Sequence, residues 1–287
     1  MSASGCAPVS MHVKCGLTIA FASSCTSPLQ TVSSQPFSDP FAHFNWNNEF
    51  QSLYDQPMFT PHQIEVANQQ KQRLVNAFLR WSSDVAGRLV RQLSQPRDEW
   101  EIQPLPQQIG AAGGEKFIVG QLFCKFARDD KGIYGSDELA IKMAKSEIRN
   151  VNAVLQLGVH SLHSSLMACH RINGHAVIVS ALMPISSDSA VASDQRKQQN
   201  EVVSPSGIAE HSLMSVEEQT PRSSLVYGSA DAGYSLHNSD EHMRDLIDRV
   251  AAQLGLSAHV VQGHVADLTV SIGADCEGHV SAIDGRY

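Results

Sequence analysis

The chain has 287 residues, 42% of them hydrophobic, and a formal net charge of −8 at pH 7. This length and hydrophobic content suffice for one domain with a buried core, while the acidic balance argues against nucleic-acid binding by bulk electrostatic attraction. No apolar run approaches the roughly 20 residues of a membrane helix, so we expect no membrane insertion. The six cysteines contain no CxxC pair, which predicts free thiols in a reducing compartment rather than a zinc site.

The first 40 residues are rich in serine and contain no acidic residue before Asp39. Their apolar segment, Leu17 to Ala22, is shorter than the roughly 7–15-residue core of a signal peptide. Transit peptides carry arginines, and the first arginine here is Arg73. We therefore predict a disordered leader over residues 1–40.

Aromatic residues are dense between Phe41 and Phe59, and no basic residue lies among them, so they are expected to pack on a core. A helix is predicted to follow, capped by Thr60, with Pro61 in its first turn and Gln63 completing a capping box. Its apolar stripe comprises Leu74, Phe78, Trp81, Val85 and Leu89. Its exposed positions are expected to carry Lys71, Arg73, Arg80, Arg88 and Arg91, and a solvated face is favoured over an RNA-binding one.

The middle of the chain predicts a buried strand, a helix and a hairpin. The strand is Phe117–Phe126, and the helix runs from Asp137 to about Leu157, where Gly158 ends it. The apolar face of this helix is expected to contain Leu139, Met143, Ile148, Val151 and Leu155. The hairpin joins strands Leu166–Ile172 and His175–Met183 through Asn173-Gly174, a strong turn signal.

Residues 186–224 are polar and lack a periodic apolar face, which predicts a disordered insertion within the domain. Beyond it we predict a helix from Ser239 or Asp240 to Leu254, and strands at Ala258–Val261 and Leu268–Ile272. The predicted fold is α+β. A mixed sheet contains the strands named above, including those after Ala258, and about three helices flank it.

The order of several predicted elements along the chain is similar to that in protein kinases. Lys125 lies on a strand and Glu147 on the next helix, and a hairpin, a helix and a late acidic turn follow. The glycine-rich loop ahead of the lysine and the HRD-x-x-x-x-N loop are missing. The sequence therefore indicates a distant kinase-like arrangement without phosphotransfer.

The end of the chain is dense in polar residues beside glycines. Asp275, Glu277 and His279 alternate, so in an extended segment they share one face and are able to hold a metal or perform acid–base chemistry. The alternative, which we favour, is that they bond the backbone amides of tight turns, because no second cluster with ligand spacing accompanies them. Ser229 lies outside the Gly-x-Ser-x-Gly pattern of hydrolases.

Four stretches together resemble the Clu domain of the clustered mitochondria proteins. They are WNNEFQS at 46–52, LMPI at 182–185, YGSxDxG at 227–233 and DxEGHxxxxDGRY at 275–287, in the family's order. We predict a Clu-like domain over residues 41–287, isolated or truncated at its C-terminal end, because the family's flanking ubiquitin-like region and helical repeats have no counterpart here. The motif residues expected to form structural or binding turns are Tyr227, Gly228, Ser229, Asp231, Gly233, Asp275, Glu277, Gly278, His279, Asp284, Gly285 and Arg286.

The resemblance implies a non-enzymatic cytoplasmic scaffold or binding domain, linked to mitochondrial distribution and to messenger RNAs for mitochondrial proteins. Ribosome-associated proteins are further expected partners, and no cofactor or metal is expected. The alternative is an enzyme or pseudo-enzyme that uses the turn at 275–279 with a metal or a nucleotide. We also expect the YGSxDxG and DxEGH turns to meet, with Asp231 and Glu277 accepting backbone amides.

Overall fold

The structure is a computed structural model that describes residues 41, 43–105, 114–159, 161–183, 225–229, 235–263, 267–273, 276–281 and 285–287. The predicted leader and the predicted insertion lie outside the described residues. No helix in the described ranges is long and apolar enough to span a bilayer.

The structure combines helices with antiparallel sheets, which confirms the α+β class. The helices are α1 (Trp46–Tyr54), α2 (Pro61–Gln92), α3 (Asp137–Leu157) and α4 (Glu241–Leu254), with a 3-10 turn at Arg97–Glu99. The strands are β1 (Lys116–Val119), β2 (Leu122–Phe126), β3 (Met167–Ile172), β4 (His175–Ala181), β5 (Leu225–Gly228), β6 (His237–Asn238), β7 (His259–Val261), β8 (Leu268–Val270) and β9 (Gly278–His279).

The strand pairing corrects the predicted mixed sheet. The described strands form three sheets, ordered β1-β2-β4-β3, β6-β5-β9 and β7-β8, and each described pair is antiparallel. The segment predicted as one strand is a hairpin, because the chain reverses at Gly120, whose φ of 57° suits a residue without a side chain. The strands after Ala258 form their own ladder instead of joining the larger sheet.

Helix α2 provides the main core contact of the four-stranded sheet. As predicted, Thr60 Oγ1 accepts from the Gln63 amide at 3.2 Å and Gln63 Oε1 accepts from the Thr60 amide at 3.0 Å, which completes the capping box. The stripe around Phe78 and Val85 packs on one face of the sheet, against residues such as Phe117 and Val179. Leu74, also assigned to this stripe, is only partly buried.

The aromatic segment before α2 packs on this core, as predicted, except for Phe59, which is 83% exposed; it does so through a helix that the prediction did not include. Trp46 and Phe50 of α1 are buried, and the Trp46 ring meets Phe78 edge-on with centroids 5.6 Å apart. Lys71 was expected on the exposed face of α2, but its side chain is buried with the ammonium 5.0 Å from the Tyr54 ring centroid. The reason is that α1 covers this part of α2.

Helix α3 lies on the opposite face of the sheet, and the predicted apolar face is only partly confirmed: Ile148 and Leu155 are buried, as predicted, whereas two residues near its start are not. Leu139 and Met143 are about half exposed, at 47% and 51%. Ile141, Ala144 and Ile148 pack toward the sheet, and Ala140 is also buried. Alanines let the helix approach the strands closely, and this packing overrides the pattern of the largest apolar residues. The helix begins at Asp137, as predicted, and its N-cap is Ser136, whose Oγ accepts from the Leu139 amide at 3.2 Å.

Candidate functional site

The two glycine-containing motifs near the end of the chain meet in space, as predicted. Strand β5 pairs with β9, so that Leu225 lies opposite His279 and Tyr227 lies opposite Gly278. The paired residues belong to the described parts of the two motifs. Asp231, Gly233, Asp275 and Asp284, also named as site residues, lie outside the described residues.

Gly278 is required by the packing around Tyr227. A Cβ at position 278 would lie 2.9 Å from the Tyr227 Cβ and 3.1 Å from the Met243 Cε. The Tyr227 hydroxyl donates to the Ile272 carbonyl at 2.9 Å and accepts from the Ile272 amide at 3.1 Å. Burial is the main cause that raises the pKa of Tyr227. The phenol therefore joins two backbone segments as a structural group.

The predicted backbone partners of Glu277 are not seen among the described residues, and most of the YGSxDxG turn lies outside them. Glu277 Oε2 lies 3.3 Å from His279 Nε2, and no backbone amide of the described residues donates to it. The alternation of 277 and 279 on one face is thus observed, but the carboxylate is 47% exposed. Within the described ranges, no group of three His, Cys, Asp or Glu side chains is arranged to hold a metal. Ser229, in the same region, is buried.

Helix α1 links distant parts of the chain through its polar side chains. Asn47 Nδ2 donates to the Leu182 carbonyl at 2.9 Å, just after β4. Asn48 Oδ1 accepts from Arg286 Nη2 at 2.5 Å, and Gln51 Nε2 donates to the Ser164 carbonyl at 2.9 Å. We call Asn47, Asn48, Gln51 and Asp55 the α1 brace. It brings the WNNEFQS, LMPI and DGRY motifs into direct contact.

A histidine extends the α1 brace to the last residue. His163 Nε2 lies 2.9 Å from Asp55 Oδ2, while its Nδ1 lies 2.9 Å from the Tyr287 carbonyl oxygen. The His163 amide donates to the same carbonyl at 2.8 Å, and the Tyr287 hydroxyl lies 3.3 Å from Asp240 Oδ2. The segment before β3, the C-terminal segment and the start of α4 are therefore fixed together.

The turn before Tyr287 is built by Gly285. Its φ is 69°, its amide donates to the Ser281 carbonyl at 2.9 Å, and the Ser281 amide donates to the Arg286 carbonyl at 2.8 Å. This geometry presents the Arg286 guanidinium to Asn48. Sequence reasoning named Gly285 and Arg286 but did not find their partner on α1. A signal was present for helix α1 itself, since Asn45 precedes it and its Oδ1 accepts from the Asn48 amide at 3.0 Å, as an N-cap does.

The contacts among these motifs agree with the comparison to known protein families. The family model described as Clustered mitochondria matches residues 45–287, which is most of the chain. The chain belongs to the Clustered mitochondria family. Membership implies a role in the distribution of mitochondria. No curated protein and no solved structure matches the chain.

This Clustered mitochondria domain also contains the lysine–glutamate pair that its sequence indicated. Lys125 on β2 and Glu147 on α3 approach to 3.5 Å between Nζ and Oε2. Strand, helix and hairpin follow in the order expected for a kinase-like arrangement. The similarity rests on this pair and this order, since no solved structure matches.

A buried polar pair in the domain lies between α2 and β3. Ser82 Oγ and His170 Nε2 are 2.8 Å apart, and both side chains are buried. His170 Nδ1 has no hydrogen-bond partner in the described part of the chain. Burial lowers the pKa of His170 to about 4, so the ring is neutral at physiological pH. With both groups enclosed by the core, the pair is a structural contact.

Proposed function

We propose that this chain is a non-catalytic cytoplasmic scaffold of the Clustered mitochondria family that binds messenger RNAs for mitochondrial proteins. One observation supports a binding role best: the family's motif side chains are used to join backbone segments. Asn47 and Gln51 donate hydrogen bonds to backbone carbonyls, and Arg286 donates to the Asn48 side chain. The Tyr227 hydroxyl makes hydrogen bonds with the backbone carbonyl and amide of Ile272. A fold stabilised in this way offers a rigid surface to partners.

The exposed side of α2, which the sequence alone favoured as a solvated face, is the surface that we propose for contact with RNA phosphates. Arg73, Arg80 and Arg91 are exposed and are 7 and 11 residues apart, so they lie within about 20° of one line along the helix. The row is about 27 Å long, and Asp84 is the carboxylate on it. Lys71 and Arg88 are not part of this row, because Lys71 is buried and Arg88 pairs with Glu101.

The test is RNA binding by the purified chain, measured by fluorescence anisotropy with a single-stranded oligonucleotide from a messenger RNA for a mitochondrial protein. Replacement of Arg73, Arg80 and Arg91 by alanine is expected to weaken binding and to make the slope of log K against log salt shallower by about two to three. The matched control replaces three other arginines, Arg149, Arg244 and Arg249. Equal affinities of the two triple variants would exclude the α2 row as the RNA surface.

The role in mitochondrial distribution is tested in cells that lack their own family member. Expression of the chain is expected to restore the spread of mitochondria, and the α2 triple variant is expected to fail at equal protein level. Full restoration by that variant would separate mitochondrial distribution from RNA binding. Ribosome-associated proteins are the other partners that we propose, and co-sedimentation with ribosomes, before and after ribonuclease treatment, tests them directly.

The enzymatic alternative at residues 275–279 predicts a different result. A metal held there would make the melting temperature sensitive to chelators, whereas the scaffold proposal expects no change. Metal analysis of the purified chain gives an independent measurement. A stoichiometric metal together with a chelator-dependent melting temperature would favour the alternative.

A further inference from the structure

Two lysines face each other across the hairpin of β1 and β2. Lys116 and Lys125 are directly opposite in the register, while the neighbouring pair, Phe117 and Cys124, points to the buried face. Side chains of directly opposite residues lie on the same face of an antiparallel pair, and like charges in that position are destabilising. The hairpin therefore contains an arrangement that costs stability unless an anion lies between or over the two ammonium groups.

Nearby charges add to this repulsion. Burial, then repulsion by Lys125 and by Lys131, lowers the pKa of Lys116, whereas Glu277 acts in the opposite direction. Glu147 approaches Lys125 at 3.5 Å, which is longer than the roughly 2.7–2.9 Å of a charge-assisted hydrogen bond. An ammonium has three donors, so Lys125 retains donors for a further ligand. The charged groups named here are three lysines and two carboxylates, so positive charge is in excess among them.

An apolar row lies beside the lysines on the same face. Ile118 is opposite Phe123, two residues along each strand or about 7 Å away. Ile118 is 46% exposed and Phe123 is partly buried. Helix α3 covers the other half of this face, where Ile178 packs against residues such as Ile148. Within the described ranges, the half of the face formed by β1 and β2 is thus left open.

We propose that this open half binds one nucleoside polyphosphate non-covalently, with its phosphates at Lys116 and Lys125 and its base over Ile118 and Phe123. A base has an apolar face and the phosphates are anionic, so the two rows match the two parts of such a ligand. Glu147 and Glu277 flank the lysines, and they would repel a phosphate backbone that continued past the site. The surface therefore favours a single nucleotide over RNA. Protein kinases likewise use a strand lysine paired with a helix glutamate to hold nucleotide phosphates.

The proposal concerns binding alone and is independent of RNA binding on α2. It is tested by titrating the full chain with a fluorescent ATP analogue and magnesium, and by displacing the analogue with ATP, tripolyphosphate, adenosine or a single-stranded RNA. Saturable binding displaced best by ATP is expected. Absence of saturable binding at millimolar ATP overturns the proposal. Equal displacement by tripolyphosphate shows a phosphate site without a base subsite, and displacement by RNA alone shows a polynucleotide site; either result overturns the nucleotide assignment.

Variants locate the site. Lys116→Met and Lys125→Met are each expected to weaken ATP binding about tenfold or more, whereas Lys142→Met, which removes an exposed lysine of α3, should leave affinity within about twofold. Lys116→Met also removes a repulsion, so its melting temperature without ligand is expected to equal or exceed that of the parent. Loss of binding with a preserved melting temperature distinguishes a ligand site from a structural role. Unchanged affinity in both variants overturns the assignment.

A measurement on the unaltered chain avoids any dependence on variant folding. Lysine acylation followed by mass spectrometry is expected to show at least about fivefold protection of Lys116 and Lys125 by ATP, with Lys142 unprotected. Equal labelling of all three with and without ATP contradicts the proposal. RNA binding at α2 is measured separately, so failure of one proposal leaves the result of the other distinguishable.

Discussion

The four-stranded sheet with α2 and the C-terminal part with β5, β9 and α4 are held together by different forces. In the first, long elements bury large side chains such as Phe78, Phe117 and Val179 almost completely. In the second, the strands have two to four residues, and a small cluster around Tyr227 and Met243 is supplemented by hydrogen bonds that side chains make to backbone and to other side chains. The family motifs concentrate in the second part and at its contacts with α1. Short strands bury little apolar area, so specific polar contacts must fix their position.

The largest effect is expected in the apolar core. Trp81→Ala removes an aromatic ring from the contact of α2 with the sheet and should cost about 3–5 kcal/mol, a large share of a domain's typical ~5–15 kcal/mol. Little soluble protein is expected. Phe59→Ala is the control, because Phe59 is 83% exposed and its loss should be nearly neutral. Chemical denaturation of both variants checks this, and a cooperative, fully soluble Trp81→Ala protein would contradict the assigned core.

The buried His170 should make the same region sensitive to acid. Its pKa is about 4 in the folded state and about 6.5 when unfolded, so the unfolded chain binds the proton more tightly. The contribution of the neutral His170 ring to the free energy of unfolding is therefore complete above pH 6.5 and is lost as the pH falls toward 4. The total is about 3 kcal/mol at roughly 1.4 kcal/mol per pH unit. Denaturation across this range should show a steeper fall for the parent than for His170→Leu, and parallel curves would refute the assignment.

Gly278→Ala tests the tight contact of the C-terminal part. The added Cβ meets the Tyr227 Cβ at 2.9 Å, an atom close to the backbone that cannot easily move, so a loss of about 1–3 kcal/mol is expected. Hydrogen exchange should increase in β5 and β9 before it does in β2 and β4. The control is Gly87→Ala in α2, whose new Cβ meets only the flexible end of Arg91, at 3.3 Å, and the end of Ile172. Better helix propensity should leave that variant as stable as the parent or more so.

The α1 brace should contribute about 1–2 kcal/mol at each buried amide. Asn47→Ala leaves the Leu182 carbonyl without this donor and removes the contact between α1 and the end of β4. Asn76→Ala is the matched control on the exposed side of α2. Thermal melts of both variants measure the difference. Equal melting temperatures would show that α1 packs without needing this bond.

The smallest effect is expected at Glu277. Its side chain is about half exposed and its described partner is His279, so Glu277→Ala should change the free energy of unfolding by less than about 1 kcal/mol. Glu277→Gln should be closer still to the parent. A loss of several kcal/mol on Glu277→Ala in a denaturation experiment would restore the original hypothesis that this carboxylate holds backbone amides.

The sequence by itself determined the elements whose signals are local. The capping box at Thr60, the stripe through Phe78 and Val85, and the Asn173-Gly174 hairpin depend on residues close together in the chain, and each was predicted. The pairing of the YGSxDxG and DxEGH motifs was also predicted, from the unpaired amides that glycine turns leave.

Only the tertiary structure decided which side of α3 turns inward, where β7 and β8 pair, and what the polar residues of α1 hold. Each of these depends on a partner outside the element itself. Leu139 is more apolar than Ala140, yet Ala140 is buried because the strands opposite leave room for a small side chain. Asn47 and Arg286 carry no sign of their partners in their neighbours, since a hydrogen bond to a distant group leaves no periodic pattern. The lysines at 116 and 125 face each other for the same reason: the register of β1 on β2, set at the Gly120 turn, places them there.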